Sequence, residues 1–436
     1  MQRFYSGAEA NALFSSPTPL TADVVIIGGG QAGPATAWAI EREDPTARVI
    51  VLEANGQLAG GASTASLEQF RTCWTPKAIA EQVRWSAQLF LDPDSYLGGG
   101  AAQGLNVRRR GYLWLAMDEQ EARAQQENVA LLHSWGLRHA IALDTGDLRR
   151  AYPWLPERVV GAKLDPMAGW LNSDFLANRF ARATANTRFL LETPAQAILA
   201  EHGRVTGVQT TRGVLTTTRV ILAAGPGSRL LGKTVGLDLP IVCIPRQSFS
   251  TPFRHPGIPA DAPVVISRYP YAHFRPDGDG LLFAWSYHWA RHPADERSPG
   301  YLDTIPPVQS LKDGRFPEAT LWLLGRQFGH REGEGFRDSR YLSRRIAHQI
   351  GYYVYRQPTL DPAGRVTHSE RAIIDRCPDP DGLVLSIAHA GHGIMTAPAA
   401  AHIAASLALG KTPRIPLWED FGLGVEQAAH EEGAGL

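Results

Sequence analysis

The sequence predicts an α/β protein, α+β when taken as a whole, in which a doubly wound, Rossmann-like domain is joined to a second domain built on an antiparallel sheet. The apolar run at residues 23–27, DVVII, is typical of a strand buried on both faces of a parallel sheet. A glycine-rich turn, a helical pattern and a second buried strand at 48–53 follow it, which completes a β-α-β unit. Amphipathic stretches at 76–90 and 118–136 predict two further helices.

Later segments indicate the second sheet and a return to the first. Residues 191–224 predict strands separated by turns, Asp277-Gly278-Asp279-Gly280 predicts a hairpin turn, and residues 383–409 repeat the order of strand, glycine-rich turn and helix. The length of 436 residues suits two or three domains. We therefore expect a discontinuous first domain formed by 21–95, 157–232 and 360–415, a second domain formed by 96–156 and 233–359, a loose N-terminal arm at 1–20 and a frayed tail at 420–436.

Composition excludes several classes of function. The 43 basic side chains are balanced by 43 acidic ones, which argues against a nucleic-acid partner because such binding needs a surplus of cations. No apolar run approaches the roughly 18 residues of a membrane helix. Cys73, Cys243 and Cys377 lie far apart, which predicts neither a disulfide framework nor a metal site. A reducing cytoplasm is the expected compartment.

The turn after the first strand, Gly28-Gly29-Gly30-Gln31-Ala32-Gly33, has the glycine spacing of a dinucleotide-binding fold. Gly28 permits the tight turn, Gly30 allows a pyrophosphate to approach the backbone, and Gly33 allows the helix to pack on the strand. The helix N-terminus then offers free N–H groups to the phosphate charge. Glu53, at the end of the second strand, is placed to accept hydrogen bonds from ribose hydroxyls and would repel a 2′-phosphate.

Four segments together resemble one known family: DVVIIGGGQAG, the turn GGASTAS with Arg71 downstream, VILAAGPGS and HAGHGIM. The sequence is similar to the FAD-dependent D-amino-acid oxidase superfamily, and most of all to its sarcosine oxidase and glycine oxidase branch. GYLWLA, DLRRAYPWLP and AGWLNSDFLANRFARA extend the similarity over about nine tenths of the chain. The resemblance implies bound FAD, a small amine or amino acid as substrate, and O2 or another electron acceptor.

The resemblance also implies the residues of the site. Gly391–Met395 would direct backbone N–H groups at the flavin N1 and O2 edge, where they stabilise the negative charge of the reduced ring. Arg71 would bind a substrate carboxylate, unless it is only a solvated or paired cation. The catalytic candidates are Arg71, His288, His392 and Met395, although His392 could equally be a packed loop histidine. The implied cofactor residues are Gly28, Gly30, Gln31, Ala32, Gly33, Glu53, Ala54, Gly61, Ala62, Ser63, Ala195, Ala224, Gly225, Gly391, His392, Gly393, Ile394 and Met395.

The positions that attach FAD covalently in relatives carry other residues here. Pro362 stands where sarcosine oxidases have the linking cysteine, and Thr64 and Ala65 stand where other relatives have a linking histidine. We therefore expect FAD to be bound without a covalent bond.

Two family lysines are also absent. Met395 replaces the lysine that assists in binding carboxylate, and no lysine occurs between Lys233 and Lys312, where the oxygen-activating one belongs. The substrate would then have a less demanding carboxylate or a bulkier apolar group. His288 or His273 would supply the cation for the oxygen step, unless the electrons leave to a protein or a quinone.

The reaction implied by the resemblance is hydride transfer from a C–H bond beside nitrogen to flavin N5, which gives an imine that water hydrolyses. A 2-hydroxy acid dehydrogenase that also needs Arg71 is one alternative. A flavin monooxygenase driven by NAD(P)H is another, although the sequence has no second nicotinamide-binding glycine motif. The third is a flavin-binding subunit without turnover. The oligomeric state stays open.

Overall fold

A computed structural model of the chain describes residues 3–267, 271–285, 301, 303–357, 359–360, 366–367 and 370–425. Its two largest sheets have seven and eight strands. The strands of the seven-stranded sheet are, from edge to edge, β1 (Phe4–Tyr5), β9 (Arg188–Leu190), β3 (Val49–Leu52), β2 (Val24–Ile27), β13 (Val220–Leu222), β22 (Leu383–Ile387) and β21 (Ile373–Arg376). Neighbouring strands are parallel except β21 and β22. The parallel strands predicted at 23–27 and 48–53 are confirmed as β2 and β3.

The seven-stranded sheet is covered on both faces. One face packs against the helices α2 (Ala32–Glu43), α3 (Lys77–Leu91), α8 (Ser173–Arg182) and α11 (Gly393–Ala408). The other face packs against a three-stranded antiparallel sheet of β10 (Ala195–Glu201), β11 (Arg204–Thr210) and β12 (Gly213–Thr216). Val24 and Ile26 join the first core, whereas Val25 and Ile27 join the second. Burial on both faces explains why β2 is apolar throughout.

The eight-stranded sheet is mainly antiparallel. Its strands are, in order, β18 (Ala347–Arg356), β14 (Ile241–Thr251), β17 (Gly280–Trp285), β16 (Ala272–Asp277), β15 (Val264–Ser267), β5 (Tyr112–Ala116), β7 (Gly161–Asp165) and β6 (Ile141–Asp144). Only the β15 and β5 pair among these is parallel. Asp277 lies opposite Gly280, so the predicted hairpin turn is confirmed.

The remaining elements are short, apart from two helices. These are α1 (Gly7–Phe14), α4 (Pro93–Leu97), α5 (Ala101–Leu105), α6 (Glu119–Ser134), α7 (Thr145–Ala151), α9 (Ser228–Lys233), α10 (Arg315–Phe328), and the strand pairs β4 (Gln69–Phe70) with β8 (Gly169–Trp170) and β19 (Thr359–Leu360) with β20 (Val366–Thr367). Within the ranges given above, we find no helix that is both long enough and apolar enough to cross a membrane.

The structure differs from the expected organisation at three places. The N-terminal segment is not a loose arm, because β1 extends the parallel sheet and the Phe4 ring stacks on Phe189 with centroids 5.1 Å apart. A two-residue strand is too short to show a periodicity.

The C-terminal tail and one domain boundary also differ from the expectation. Phe421 is fully buried, so the tail begins later than position 420, and 426–436 lie outside the described residues. β7 belongs to the eight-stranded sheet, although it falls within 157–232.

The two faces of the eight-stranded sheet differ in chemistry. Side chains of directly opposed residues share a face, and the pairing places Lys163 opposite Trp114, Ile266 opposite His273, and Ile244 opposite Tyr353. One face is apolar and packs against α7 and α10. We call the opposite one the polar face; it carries Tyr112, Trp114, Lys163, Asp165, Arg246, Ser248, His273, Tyr353 and Tyr355. It faces residues 62–74, since Ser248 Oγ donates to the Ala65 carbonyl at 2.8 Å.

Candidate active site

A cavity of about 510 Å³ lies at the carboxyl ends of the parallel strands. Ile27 at the end of β2, Leu52 at the end of β3 and Ile387 at the end of β22 line it. This edge is where open α/β sheets bind their ligands, and the volume is that of a cofactor or substrate pocket. Every cofactor residue implied by the resemblance lines this cavity except Gly33, His392 and Met395.

The glycine turn has the shape that a pyrophosphate requires. Gly28 has a φ of +118°, and a Cβ on it would lie 2.3 Å from the Ala223 carbonyl oxygen. A Cβ on Gly33 would lie 1.9 Å from the Gly28 carbonyl oxygen, so α2 could not pack against β2. Around Gly30, by contrast, no described atom lies within 4 Å of the Cβ position, which leaves open space on the cavity side. The turn therefore fits a dinucleotide phosphate at the α2 N-terminus.

Glu53 is held rigidly at the rim of the cavity. Its carboxylate accepts hydrogen bonds from the Gly29 N–H at 2.7 Å and from the Asn55 N–H at 2.8 Å. Asn55 also donates to it through its side-chain amide at 2.7 Å. These bonds link the end of β3 to the glycine turn, and they fix the carboxylate where a ribose would lie. Asn55 was not among the predicted site residues, although its position two residues after Glu53 is a signal for such a local bond.

His389 also lines the cavity and was not identified from the sequence. Burial lowers the pKa of His389 to about 4, so its imidazole is neutral near pH 7. Its Nε2 lies 3.2 Å from Ser386 Oγ, while its Nδ1 has no hydrogen-bond partner in the described part of the chain. A buried ring nitrogen without a partner beside a cavity indicates contact with a ligand. The sequence signal was the pair of histidines in HAGH, of which only the second was chosen.

His392 and Met395 contact Trp74 rather than the cavity. The His392 ring lies 4.1 Å from the Trp74 ring at 73°, and its Nε2 lies 2.9 Å from a Glu370 carboxylate oxygen. The Trp74 indole N–H donates to Met395 Sδ at 3.1 Å. Both side chains therefore orient Trp74, which in turn contacts Arg71.

Arg71 is a buried cation in an aromatic setting. Its side chain is 9% exposed, and its Cζ lies 3.7 Å from the Trp74 ring centroid, 5.2 Å from that of Tyr112 and 5.8 Å from that of Trp114. Its Nη1 is buried with no hydrogen-bond partner among the residues that the structure describes, and the same residues provide no carboxylate in ion-pair distance. Within the described part of the chain, Arg71 is therefore neither well solvated nor paired with a carboxylate.

Asp165 fixes the segment that carries Arg71. This carboxylate is fully buried and accepts hydrogen bonds from the Thr72 N–H at 2.5 Å and the Cys73 N–H at 3.0 Å. Cys73, His139 and Asp165 place potential metal ligands within 4.8 Å of one another. The Asp165 oxygens are, however, already occupied by N–H and hydroxyl donors, so the cluster serves as a hydrogen-bonded support. No local sequence pattern indicates Asp165, which lies far from Arg71 in the chain.

The structure overturns one candidate for the missing cation. Burial, together with the positive charges of Arg71 and Arg246, lowers the pKa of His273 to about 4. His273 is therefore neutral at ordinary pH and cannot supply a positive charge to an oxygen step. His288, the other candidate, lies outside the described residues. The polar face does contain a lysine, Lys163, which the sequence analysis did not consider.

The FAD dependent oxidoreductase family DAO matches residues 23–407 of this chain. The chain belongs to the DAO family. This DAO-family protein is thus an FAD-dependent oxidoreductase, as the sequence resemblance implies. Its α/β fold, with a parallel and a mainly antiparallel sheet, is also confirmed.

Named relatives are amine and amino-acid oxidases or dehydrogenases. The chain is 28% identical over 275 residues to a glycine oxidase of Pseudomonas putida, which covers 60% of this chain and 70% of that one. It is 25% identical over 332 residues to a sarcosine oxidase subunit beta of Rhodobacter capsulatus, covering 71% and 76%. The structure of an L-proline dehydrogenase from P. horikoshii superposes with a TM-score of 0.73 at 20% identity, covering 93% of this chain and 98% of that one. This last similarity supports the fold.

Proposed function

We propose that this DAO-family protein oxidises the C–N bond of a small amine or amino acid that carries a carboxylate. The observation that supports this proposal most strongly is Arg71, a buried guanidinium whose Nη1 has no hydrogen-bond partner among the described residues. Since buried donors in proteins are almost always satisfied, Nη1 indicates a ligand with acceptor oxygens. The names of the relatives, glycine oxidase and sarcosine oxidase subunit beta, agree with a substrate of this class.

FAD would lie in the cavity at the strand ends. Gly28, Gly30 and the N-terminus of α2 would hold its pyrophosphate, and Glu53 would accept from its ribose. The turn at Gly61–Ser63 and the loop at Gly391–Ile394 would lie against the flavin half. When bound, FAD would supply the acceptor for the hydride of the substrate C–H bond, which carries both electrons of that bond.

The protein's own residues bind and orient the substrate. The Arg71 Cζ lies 3.7 Å from the Trp74 ring centroid, so one face of the guanidinium is covered while its N–H edge would bind a planar carboxylate. His392 and Met395 hold Trp74 in that place. Tyr353, which lines the cavity, adds an aromatic wall from the polar face. These groups exclude water and place a bound substrate near the flavin, which is the main contribution the protein makes to such a reaction.

We also propose that the FAD is not covalently linked. None of the described residues that line the cavity is a cysteine, and Thr64 and Ala65 lie where some relatives have the linking histidine. Precipitation of the holoprotein with acid should release all of the flavin absorbance into the supernatant. Yellow colour retained in the pellet would contradict this proposal.

The experiment for the main proposal is anaerobic mixing of the holoprotein with a panel of N-methyl amino acids, D- and L-amino acids and 2-hydroxy acids. We expect a carboxylate-bearing amine to bleach the flavin and to release amine or ammonia. Bleaching by hydroxy acids alone would instead favour a hydroxy acid dehydrogenase, and bleaching by NADPH a monooxygenase. A flavin that no compound reduces would overturn the proposal in favour of a subunit without turnover.

Arg71→Leu is the variant that tests the substrate site. Loss of a charged, bidentate contact should lower kcat/KM for a carboxylate substrate about 100-fold, with most of the change in KM and with normal FAD content. Arg71→Lys should recover only part of the lost kcat/KM, because an ammonium lacks the planar pair of N–H donors with which a guanidinium binds a carboxylate. Arg315→Leu is the control, since Arg315 is an exposed cation paired with Asp313. An unchanged KM in Arg71→Leu would refute the role of Arg71.

A further inference from the structure

Three buried donor groups lie together where the polar face meets Arg71. Arg71 Nη1 and Trp114 Nε1 have no hydrogen-bond partner in the described residues. Lys163 Nζ donates at 2.8 Å to Asn128 Oδ1, which is one acceptor for a group with three protons. Native structures rarely leave several donors unsatisfied in one place. The grouping of these donors indicates that a ligand with acceptor oxygens forms hydrogen bonds with them.

Lys163 is connected to Arg71 through Trp114. β7 places Lys163 directly opposite Trp114 on β5, and Nζ lies 4.2 Å from the Trp114 ring centroid. The same ring lies 5.8 Å from the Arg71 guanidinium. Tyr112 stacks on Trp114 with centroids 4.3 Å apart, which keeps the indole in place. Two cations thus share one aromatic side chain.

Lys163 is not neutralised by a direct ion pair. It is 6% exposed, and no carboxylate of the described chain lies within 4.0 Å of its Nζ. Asp165, two residues along the same strand, directs its oxygens at the Thr72 and Cys73 N–H groups instead. A buried lysine without a partner carboxylate is uncommon unless it has a function.

We propose that Lys163 is the second cation of the substrate site, and that its charge strengthens the binding of an anionic group at Arg71. This inference rests on the proposed function, because it assumes that Arg71 binds the substrate carboxylate. Lys163 would act on that anion through space across Trp114, as a residue that determines affinity for charged substrates. It is not a group that contacts the reacting atoms.

The charge of Lys163 depends on pH in the range where enzymes work. Burial lowers the pKa of Lys163 to about 8, and the Arg71 charge acts in the same direction, while Asp165 and a Cys73 thiolate would oppose it. Burial raises the pKa of the Cys73 thiol far above its usual range, so the thiol keeps its proton. His139 is a further titratable group nearby, with its Nε2 3.5 Å from Cys73 Sγ. A rise in pH through about 8 therefore removes the Lys163 charge and weakens anion binding.

The test is a titration of the holoprotein with propionate and with its neutral analogue propionamide. Binding is detected through the change in the flavin absorption spectrum. In the wild type, the propionate Kd should rise roughly five- to tenfold between about pH 7 and about pH 9, and the propionamide Kd should stay constant. Lys163→Met should bind propionate five- to tenfold more weakly at about pH 7, with no further change at higher pH. Lys163→Arg should bind tightly at both values, because arginine stays charged. Lys312→Met, at an exposed position, is the control.

The outcomes separate this inference from the proposed function. If Lys163→Met keeps the wild-type Kd and its pH dependence while Arg71→Leu loses propionate binding, the role of Lys163 is refuted and the proposed function stands. If Arg71→Leu binds propionate as the wild type does, the proposed function itself fails. Should Lys163→Met not fold, the pH profiles of wild type and Lys163→Arg decide: parallel profiles would refute the inference.

Discussion

The two faces of the eight-stranded sheet are built from alternate residues of the same strands, and they differ in almost every property. On β5, Leu113 and Leu115 enter an apolar core in which both are buried almost completely. Their neighbours Tyr112 and Trp114 are equally buried but contact the Arg71 guanidinium. The strand alternation of period two thus sends one set of side chains to packing and the other to a charged site.

The difference shows where this sheet contributes to stability and where it contributes to binding. The apolar face buries aromatic and aliphatic side chains, which pack against one another in a hydrophobic cluster. Trp114 on the polar face and Arg71, which contacts that face, each have a buried donor without a partner in the described chain, which lowers stability in the absence of a ligand. A protein that keeps such groups buried uses them for recognition. Substitutions on the two faces should therefore separate stability from substrate affinity.

The largest effect on stability is expected from the apolar face. Leu113→Ala should lower the free energy of unfolding by about 3 kcal/mol, because it leaves a cavity in a fully buried cluster. KM and FAD content should stay at wild-type values. The free energy of unfolding is measured by urea unfolding with tryptophan fluorescence as the signal, and KM is measured by steady-state kinetics. Leu230→Ala, at an exposed leucine, is the matched control. A raised KM in Leu113→Ala would mean that the two faces are not separable.

A smaller effect on stability is expected from the polar face in acid. The pKa of His273 is lowered from 6.5 to about 4, so the unfolded chain binds more protons than the folded one in this interval. The free energy of unfolding should therefore fall as the pH decreases from 6.5 to about 4, and His273 should account for roughly 2–3 kcal/mol of the loss. His273→Asn keeps a donor for the Tyr271 carbonyl and should flatten the pH dependence of unfolding, with the His389 contribution remaining. An equally steep profile in this variant would show that folding does not change the pKa of His273.

The smallest effect is expected from Trp114→Phe. The change removes the unpartnered indole N–H and weakens the aromatic contact between Lys163 and Arg71, but it keeps an apolar ring. KM for a carboxylate substrate should rise about fivefold, which corresponds to ~1 kcal/mol, while the free energy of unfolding should change by less than about 1 kcal/mol. A large loss of stability with unchanged KM would assign Trp114 to packing instead.

The sequence predicts the parallel sheet better than the polar face, for a physical reason. The turn at Gly28–Gly33 and the strands around it are local signals, since the required glycines lie within one β-α-β unit. Asp165 supports a backbone that is 93 residues away in the chain, and no local pattern reports such a contact. His273 was one of two candidates for a cation because a sequence does not show burial or the nearby charges of Arg71 and Arg246. Lys163 was overlooked for the same reason.

The role of Arg71 can be measured as the substrate concentration that half-saturates anaerobic flavin reduction, compared in wild type, Arg71→Leu and Leu113→Ala. If Arg71, against the polar face, holds the carboxylate of the substrate beside the FAD cavity, this concentration should rise about 100-fold in Arg71→Leu and stay unchanged in Leu113→Ala, with the flavin fully bound in all three. The same half-saturating concentration in wild type and Arg71→Leu would contradict the account.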